Sequence, residues 1–323
     1  MATITDAARK AGVSVGTVSR VMNGETNVSP ELRRHVLTEA RRIGFVPKLA
    51  HSRLAVLTGR HNPVLPVGYT NIMTSLVERF ASRRRMGIEI LDLENLDLLY
   101  DCRIEAVIGV VFDDRIEELL AIPNLPVVTI NHPMSGKGIH SIYTDHYEQG
   151  LQATQYLLER GHKKIAFLAD LPEEWGAKER RRGYEQALQE AGVAFDESRV
   201  KFSSVEPLYD ILRRWVRDEV TAILNLGEDV GAETLHVLQN VLNLKIGRDI
   251  STVTLEDLPF YQYTTPPQTV IRQPLEELAC QAVDNAIELA AAIRDGVSKP
   301  ILNLRLHGKL VERDSVVNLN SKK

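Results

Sequence analysis

The stretch TITDAARKAGVSVGTVSRVMNGETNVSPELRRHVLTEARRIGFVP, residues 3–47, decides the N-terminal fold of this chain. Thr3 and Ser14 each precede a short segment of small and apolar residues, and hydroxyl side chains in that place cap helices. Gly12 separates the two segments and readily takes the left-handed conformation that ends a helix. Ser29-Pro30 opens a longer third segment, since proline is tolerated in a first helical turn. The stretch therefore predicts three short helices in close succession.

The second of these helices predicts a contact with DNA. A helix, a tight turn and a second helix opened by small residues are typical of a helix-turn-helix, whose second helix places its N-terminal residues against base edges. Val15 and Gly16 occupy those positions, and Arg20, about one turn later, is suited to a bidentate contact with guanine. The residues expected to donate hydrogen bonds to phosphates are Ser14, Thr17, Ser19 and Asn23. A small helical domain that binds protein is the alternative interpretation.

The same stretch closely resembles the lactose-repressor (LacI/GalR) family of bacterial transcription regulators. The matching residues are Thr3, Ala8, Ala11–Ser14, Thr17–Val21, Asn23, Val28-Ser29 and Gly44–Pro47. The resemblance implies that Val15, Gly16 and Arg20 hold the family's base-reading positions. Gly16 departs from the longer side chains that are often found there.

Residues 49–60, LAHSRLAVLTGR, lack the composition of a flexible linker, which is the alternative, and suit a short marginal helix. The resemblance implies that residues 47–60 form a hinge helix that orders on the operator and pairs with its dimer mate. Leu54 matches the leucine that the family inserts into the central minor-groove step, and Ala55 matches its neighbour. We therefore expect a headpiece at 1–46, followed by the hinge.

The charge of the chain is unevenly distributed. Residues 1–60 hold ten Lys/Arg against four Asp/Glu, a net charge of +6, and the total of −4 leaves −10 for the remainder. A basic head on an acidic body predicts that only the head meets a polyanion such as DNA.

The body alternates between strand and helix patterns from Pro66 onward. The predicted strands are 66–70, 87–91, 106–112, 127–131, 164–169, 222–226 and 251–256. The predicted helices are Asn71–Met86, Tyr147–Arg160, Ala177–Ala191 and Pro274–Arg294, with a short one at about Leu93–Arg103. Such alternation implies parallel sheets covered by helices on both faces. We expect an effector and dimerisation domain at 61–323 with two lobes, an N-lobe at about 61–144 and 275–302, and a C-lobe at about 145–273 and 303–317.

The body also resembles the family's effector domain, which is similar to periplasmic sugar-binding proteins. The matching pieces are Tyr143–Asp145, Gly161–Phe167, Glu179-Arg180, Gly183-Tyr184, Asp249–Ser251, Pro266-Pro267 and Gln273. The resemblance implies that Arg180 hydrogen-bonds the effector, with Glu256, Asn131 and Gln273 at further effector positions. On composition alone Arg180 belongs to a solvated helix face, and Asp257 could replace Glu256.

Aromatic residues and departures from the family pattern refine the expected ligand. Tyr69, Trp175 and Phe260 could stack on a sugar ring, although each could also be ordinary core or surface. Gly227 stands where the family often has an effector-binding asparagine. The trimmed N-lobe and the FSS sequence at 202–204 are similar to the subgroup that represses the evolved-β-galactosidase operon, which implies a galactoside or related effector.

Several classes of function find no support in the sequence. The two cysteines, Cys102 and Cys280, form neither a disulfide framework nor a metal-binding spacing, which predicts a reducing cytoplasm. The histidines show no metal-ligand spacing, so we expect neither a metal nor a cofactor. No apolar run approaches the roughly 20 residues of a membrane span.

The sequence thus predicts an allosteric, homodimeric repressor that binds a palindromic operator and a carbohydrate effector. Two alternatives stay open: a sugar-modifying enzyme with an appended DNA-binding head, and a pure sugar-binding protein with a vestigial head. No nucleophile and base arrangement favours the enzyme.

Overall fold

The computed structural model describes residues 2–23, 25, 27–45, 53–59, 68–94, 96–100 and 103–322. The chain forms two compact units. The N-unit comprises Met1–Pro66, Thr70–Tyr143 and Leu275–Leu304, and the C-unit comprises Val67–Tyr69, Thr144–Pro274 and Arg305–Lys323. The helical headpiece therefore groups with the first lobe.

The headpiece consists of α1 (Ile4–Ala11), α2 (Val15–Met22) and α3 (Pro30–Arg42). The predicted N-cap of α1 is confirmed, because the Thr3 hydroxyl accepts from the Asp6 amide while the Asp6 carboxylate accepts from the Thr3 amide. Gly12 ends α1 at a φ of +65°. The three helices bury a small core of Ala7, Ala8, Ala11, Val18, Val21, Val36, Leu37, Ala40 and Phe45.

The N-unit contains a six-stranded sheet in the order β11-β5-β4-β3-β1-β2. Its strands are β1 (Arg53–Thr58), β2 (Gly87–Asp92), β3 (Ile104–Val110), β4 (Val127–Ile130), β5 (His140–Thr144) and β11 (Asn303–Leu306). The first five pair in parallel with their neighbours. Besides the headpiece helices α1–α3, the N-unit contains α4 (Tyr69–Arg83, whose first residue falls in the C-unit) and α9 (Leu275–Arg294).

The C-unit contains a second six-stranded sheet in the order β12-β10-β9-β8-β6-β7. Its strands are β6 (Ile165–Ala169), β7 (Val200–Phe202), β8 (Ala222–Asn225), β9 (Ser251–Thr254), β10 (Thr269–Arg272) and β12 (Lys309–Val311). Its helices are α5 (His146–Glu159), α6 (Trp175–Glu190), α7 (Leu208–Arg217) and α8 (Glu228–His236). Only β12 runs antiparallel to its neighbour β10. The predicted α/β lobe with a parallel sheet is thus confirmed.

Two secondary-structure predictions for the body are wrong. Gly68–Thr70 is not a strand, because the described part of the predicted strand at 66–70 is a bend that leads into α4. The short helix expected at about Leu93–Arg103 is a 3₁₀ turn at Leu96–Tyr100. Among the described helices, none combines the length and the apolar character needed to cross a bilayer.

Candidate DNA-binding and effector sites

Helix α2 presents its first turn to solvent. The Ser14 hydroxyl caps the helix by accepting from the Thr17 amide at 3.1 Å. Val15, Gly16 and Arg20 are all exposed, and 42% of the Val15 surface is accessible although valine is apolar. The Nε of Arg20 donates to the Gly16 carbonyl at 3.3 Å, so the guanidinium lies along the same face as the helix opening. This face is free to approach base edges.

The polar residues predicted to contact phosphate lie around this opening. Ser14 and Asn23 are exposed, while Thr17 and Ser19 are partly buried. The hydroxyls of Ser14 and Thr17 are 2.9 Å apart and hydrogen-bond each other. Gly16 has no side chain, and a Cβ added there would contact only the Ser14 hydroxyl oxygen, at 3.7 Å. The backbone at this position therefore does not require glycine.

The prediction that Leu54 and Ala55 belong to a DNA-contacting hinge helix is wrong. Both lie in β1, which pairs in parallel with β2 on one side and β3 on the other. Both side chains have 0% of their surface exposed, so neither can wedge into a minor groove. Of the rest of the predicted hinge, Gly59 follows β1, and residues 47–52 and 60 lie outside the described residues. The N-lobe sheet therefore begins at Arg53 and not after residue 60.

The headpiece contacts the N-lobe directly through the end of α3. Arg41 is 6% exposed, and its Nη2 and Nε donate to the carbonyls of Ile104 at 2.5 Å and Tyr100 at 3.4 Å. The Nδ2 of Asn124 donates to the Arg41 carbonyl at 2.6 Å. The Arg34 guanidinium lies 5.7 Å from the centroid of the Tyr100 ring. The buried Arg41 therefore attaches the headpiece to the N-unit through two charge-assisted hydrogen bonds.

Replacing Arg41 with alanine should loosen the headpiece. The change leaves the carbonyls of Tyr100 and Ile104 without the guanidinium, which should cost about 1–3 kcal/mol. We expect trypsin to cleave faster after Lys48, outside the described residues, when cleavage is followed by mass spectrometry. Arg42→Ala is the matched control, because Arg42 is largely exposed and pairs with Glu39 at 2.6 Å. Equal cleavage rates in the two variants would contradict this role for Arg41.

Arg180 is buried inside the C-unit, which excludes the solvated-face interpretation of its basic run. Only 4% of its surface is exposed, whereas Arg181 and Arg182 form ion pairs at the surface with Glu185 and Glu179. Its Nε donates to the Gln149 Oε1 at 2.9 Å. The carboxylates of Glu256 and Glu174 interact electrostatically with its guanidinium.

A close helix crossing brings Gln149 to Arg180. A Cβ on Gly150 would lie 2.0 Å from the Arg180 carbonyl, and a Cβ on Gly183 would lie 2.0 Å from the Tyr147 carbonyl. Glycine at both positions therefore lets α5 and α6 touch backbone to backbone. The sequence gives no signal for Gln149, because nothing in its spacing reveals this crossing.

An imidazole and an indole lie beside Gln149 and Arg180. The Gln149 Oε1 also lies 2.9 Å from the His146 Nδ1, so that nitrogen carries the hydrogen. The ring of His146 packs against Trp175 with centroids 5.0 Å apart.

Burial lowers the pKa of Arg180 to about 10, and the Glu256 carboxylate opposes that shift. The guanidinium therefore remains charged at neutral pH.

The stability of the protein should fall as the pH drops from 7 to 5. Burial and the Arg180 charge hold the pKa of His146 well below its ordinary value, so the folded ring stays neutral. The unfolded histidine gains a proton below about pH 6.5, which costs about 2 kcal/mol of stability by pH 5. His146→Asn, whose amide can donate to Gln149 from the same place, should show a flatter pH dependence in urea unfolding. An equally steep dependence would contradict this assignment.

The carboxylates after β9 have different environments. Asp257 is engaged by two cations, since it lies 2.6 Å from the Arg272 Nε and 3.0 Å from the Arg313 Nη2. The Glu256 carboxylate raises the pKa of Arg180 more than the other acidic groups around it do. These contacts favour Glu256 over Asp257 as the residue associated with the arginine.

The other predicted effector residues lie in both units. In the C-unit, Gln273 is buried and its Oε1 accepts from the Thr144 hydroxyl at 3.0 Å, and Tyr69 is 8% exposed. In the N-unit, Asn131 follows β4 in the left-handed region at a φ of +53° and is 3% exposed. Gly227 has a φ of +108°, which an asparagine would take only with strain.

Two residues of the N-unit, Phe112 and His132, were not predicted as site residues from the sequence. Phe112 follows β3 with 52% of its surface exposed, and its ring meets that of His132 edge-on with centroids 6.5 Å apart. The His132 Nε2 lies 3.3 Å from the Asp114 carboxylate. The signal that could have found them is their position directly after parallel strands, where ligands of such sheets bind.

One group of side chains has donor atoms in a metal-like arrangement. Asp145, Glu148 and His307 bring one possible ligand atom each to within 4.8 Å of one another. Their contacts have another explanation, since Asp145 caps α5 and pairs with Arg305 at 3.3 Å, while His307 contacts Glu148. Spacing in the sequence could not predict this group, because His307 and Glu148 are 159 residues apart.

Comparison with known proteins places both parts of the chain. The sequence-family model of the bacterial regulatory proteins of the lacI family matches residues 3–48. The family model of the periplasmic binding protein-like domain matches residues 154–316. The HTH-type transcriptional repressor PurR of Vibrio vulnificus is 27% identical over 341 residues, covering 99% of this chain and 100% of that protein.

Solved structures agree with this assignment. The cellobiose complex of the transcriptional regulator CelR is 26% identical with a TM-score of 0.70, covering 98% of this chain and 100% of that one. The lac repressor dimer bound to operator and an anti-inducer shares the fold at 20% identity, with a TM-score of 0.67 and coverage of 98% and 99%. Together with the exposed α2 and the two parallel-sheet lobes, these matches show that the chain belongs to the LacI family of bacterial transcriptional regulators.

Proposed function

We propose that this protein is a cytoplasmic homodimeric repressor that binds a palindromic operator and releases it when a carbohydrate effector binds. The observation that carries the proposal is the exposed, capped opening of α2 on a basic headpiece. Regulators of this family bind operator DNA as dimers and respond to small-molecule effectors. Symmetric dimers match two half-sites about one helical turn, or a multiple, apart.

The effector is proposed to be a neutral sugar that binds beside Arg180. The guanidinium, together with Glu256, offers charge-assisted hydrogen bonds to adjacent hydroxyls, which a sugar supplies in pairs. Trp175 lies next to His146 and offers an aromatic plane for the apolar face of a ring. The short segment between β2 and β3 is consistent with the evolved-β-galactosidase repressor subgroup, so a galactoside or related sugar is the proposed class.

The coupling between sugar and DNA is proposed to be allosteric. Sugar and operator would stabilise different arrangements of the protein, and the operator must then weaken sugar binding by the factor with which sugar weakens operator binding. The test is a titration of the full chain with DNA from upstream of its own gene, with and without a panel of galactosides. Turnover of the sugars, or failure to bind this DNA at low salt, would contradict the proposal.

Arg20→Ala should relax the choice of base at one position in each half-site. Loss of a bidentate guanine contact should cost about 1–3 kcal/mol of operator affinity. Selection from a randomised duplex library, followed by sequencing, measures the preference directly. Thr17→Ala is the control, because it should weaken binding equally on all sequences. An unchanged base preference in Arg20→Ala would refute the role of this residue.

A further inference from the structure

The edge of the N-unit sheet where the strands begin lies beside the headpiece. Arg53 at the start of β1 is in register with Gly87 at the start of β2 and with Ile104 at the start of β3. Ile104 is also the residue whose carbonyl holds Arg41 of the headpiece. Two strand spacings, about 10 Å, therefore separate Gly87 from the point where the headpiece is attached.

Three consecutive arginines, Arg83–Arg85, precede β2 at this same edge of the sheet. α4 ends at Arg83, and the chain passes through Arg84 and Arg85 before β2 begins at Gly87. Arg84 is anchored by Asp284 and lies 3.4 Å from the Cys280 sulfur. Arg83 and Arg85 are exposed, and within the described parts of the chain neither has a carboxylate partner. The Arg83 guanidinium lies over the Phe80 ring, 5.5 Å from the ring centroid.

These two arginines stand out against the charge of the body. The residues beyond 60 carry a net charge of −10, and most cations described there are paired with an acid, as Arg79 is with Glu276 and Arg84 with Asp284. Arg83 and Arg85 lie four and two residues before Gly87, whose backbone is two strand spacings, about 10 Å, from that of Ile104. A polyanion held by the headpiece is the partner that such a surface fits.

The position of β1 makes this surface relevant to DNA. Leu54 is enclosed in the sheet and cannot contact a groove, and seven residues, 46–52, separate the last described residue of the headpiece from Arg53. Seven residues span at most about 25 Å. Because Arg41 also fixes α3 to the sheet, the edge and the headpiece stay close together.

We propose that Arg83 and Arg85 form a second phosphate-binding surface that contacts duplex DNA alongside the headpiece. The inference rests on the proposed DNA-binding function and adds contacts that carry no sequence information, because phosphates are the same in every sequence.

The test measures the salt dependence of DNA binding by the full chain. Affinities for a random-sequence 40-bp duplex and for DNA from upstream of its own gene are measured between 50 and 200 mM salt. Wild type is compared with Arg83→Ala/Arg85→Ala and with Arg83→Lys/Arg85→Lys. The matched control is Arg213→Ala/Arg217→Ala, which removes two exposed arginines from α7 of the C-unit.

We expect the alanine pair to lower the slope of log affinity against log salt by about 1.8, or 0.9 for each lost phosphate contact. The advantage of wild type should then shrink about tenfold between 50 and 200 mM salt. The lysine pair and the α7 control should keep the wild-type slope. The effect should be equal on both DNAs.

An unchanged slope in the alanine pair, with steep binding by wild type, would overturn this inference alone. So would a loss of dimer in sedimentation, which would assign the arginines to a subunit contact. Failure of wild type to bind either DNA would contradict the proposed function itself.

Discussion

Leu54→Ala is expected to destabilise the protein by about 2–5 kcal/mol, because it removes a fully buried side chain from an inner strand. Leu54 has 0% of its surface exposed, and β1 is paired on both sides. The cavity would lie in the sheet of the N-unit, where the surrounding backbone cannot collapse easily. Urea unfolding followed by circular dichroism measures the loss.

The control for Leu54 is Leu54→Met, which nearly conserves volume and should cost less than about 1.5 kcal/mol. The two interpretations of this residue differ in their outcomes. A hinge leucine could be truncated with little change in stability and a large loss of DNA affinity. That result for Leu54→Ala would restore the hinge interpretation and contradict the strand.

Arg180→Met is expected to abolish the response to sugar while leaving DNA binding intact. Hydrogen bonds to a charged group contribute about 1.5–3 kcal/mol each, so losing two should weaken effector binding by 100-fold or more. Methionine fills similar space without a buried charge, so the fold should be retained. Calorimetry with the sugar identified by thermal shift measures the affinity, and operator release measures the response.

The neighbouring Arg181→Met provides a matched control. Arg181 lies on the same helix but pairs with Glu185 and Glu197 at the surface, so its loss should leave sugar binding unchanged. Unfolding of Arg180→Met in urea at much lower concentration than wild type would show that the arginine is structural. Sugar binding by Arg180→Met at wild-type affinity would remove it from the effector site.

Much of the headpiece could be predicted because its signals are local. The Thr3 and Ser14 caps and the glycine stop at Gly12 act on residues three or four positions away in the chain. A cap hydrogen bond forms whatever the rest of the molecule does. The same is true of the parallel-sheet lobes, whose strand and helix periods can be read from short windows.

The hinge prediction failed because a short apolar run has no unique structure. Leu54 to Leu57 are apolar at every position, which suits a strand buried on both faces as well as a marginal helix. The neighbours β2 and β3 decide between them, and they lie more than 30 residues away in the chain. The family resemblance favoured the hinge, yet the strand begins where the hinge was expected.

The sequence by itself determined the helix-turn-helix and the parallel α/β body, since each depends on interactions between near neighbours along the chain. Tertiary structure alone decided that Leu54 is core, that Arg41 fastens the headpiece to the sheet, and that Arg180 is buried against Gln149. Burial of these residues depends on elements that meet across long separations in sequence. No local pattern records such meetings, because the energy of a buried charge or side chain is set by whatever surrounds it in space.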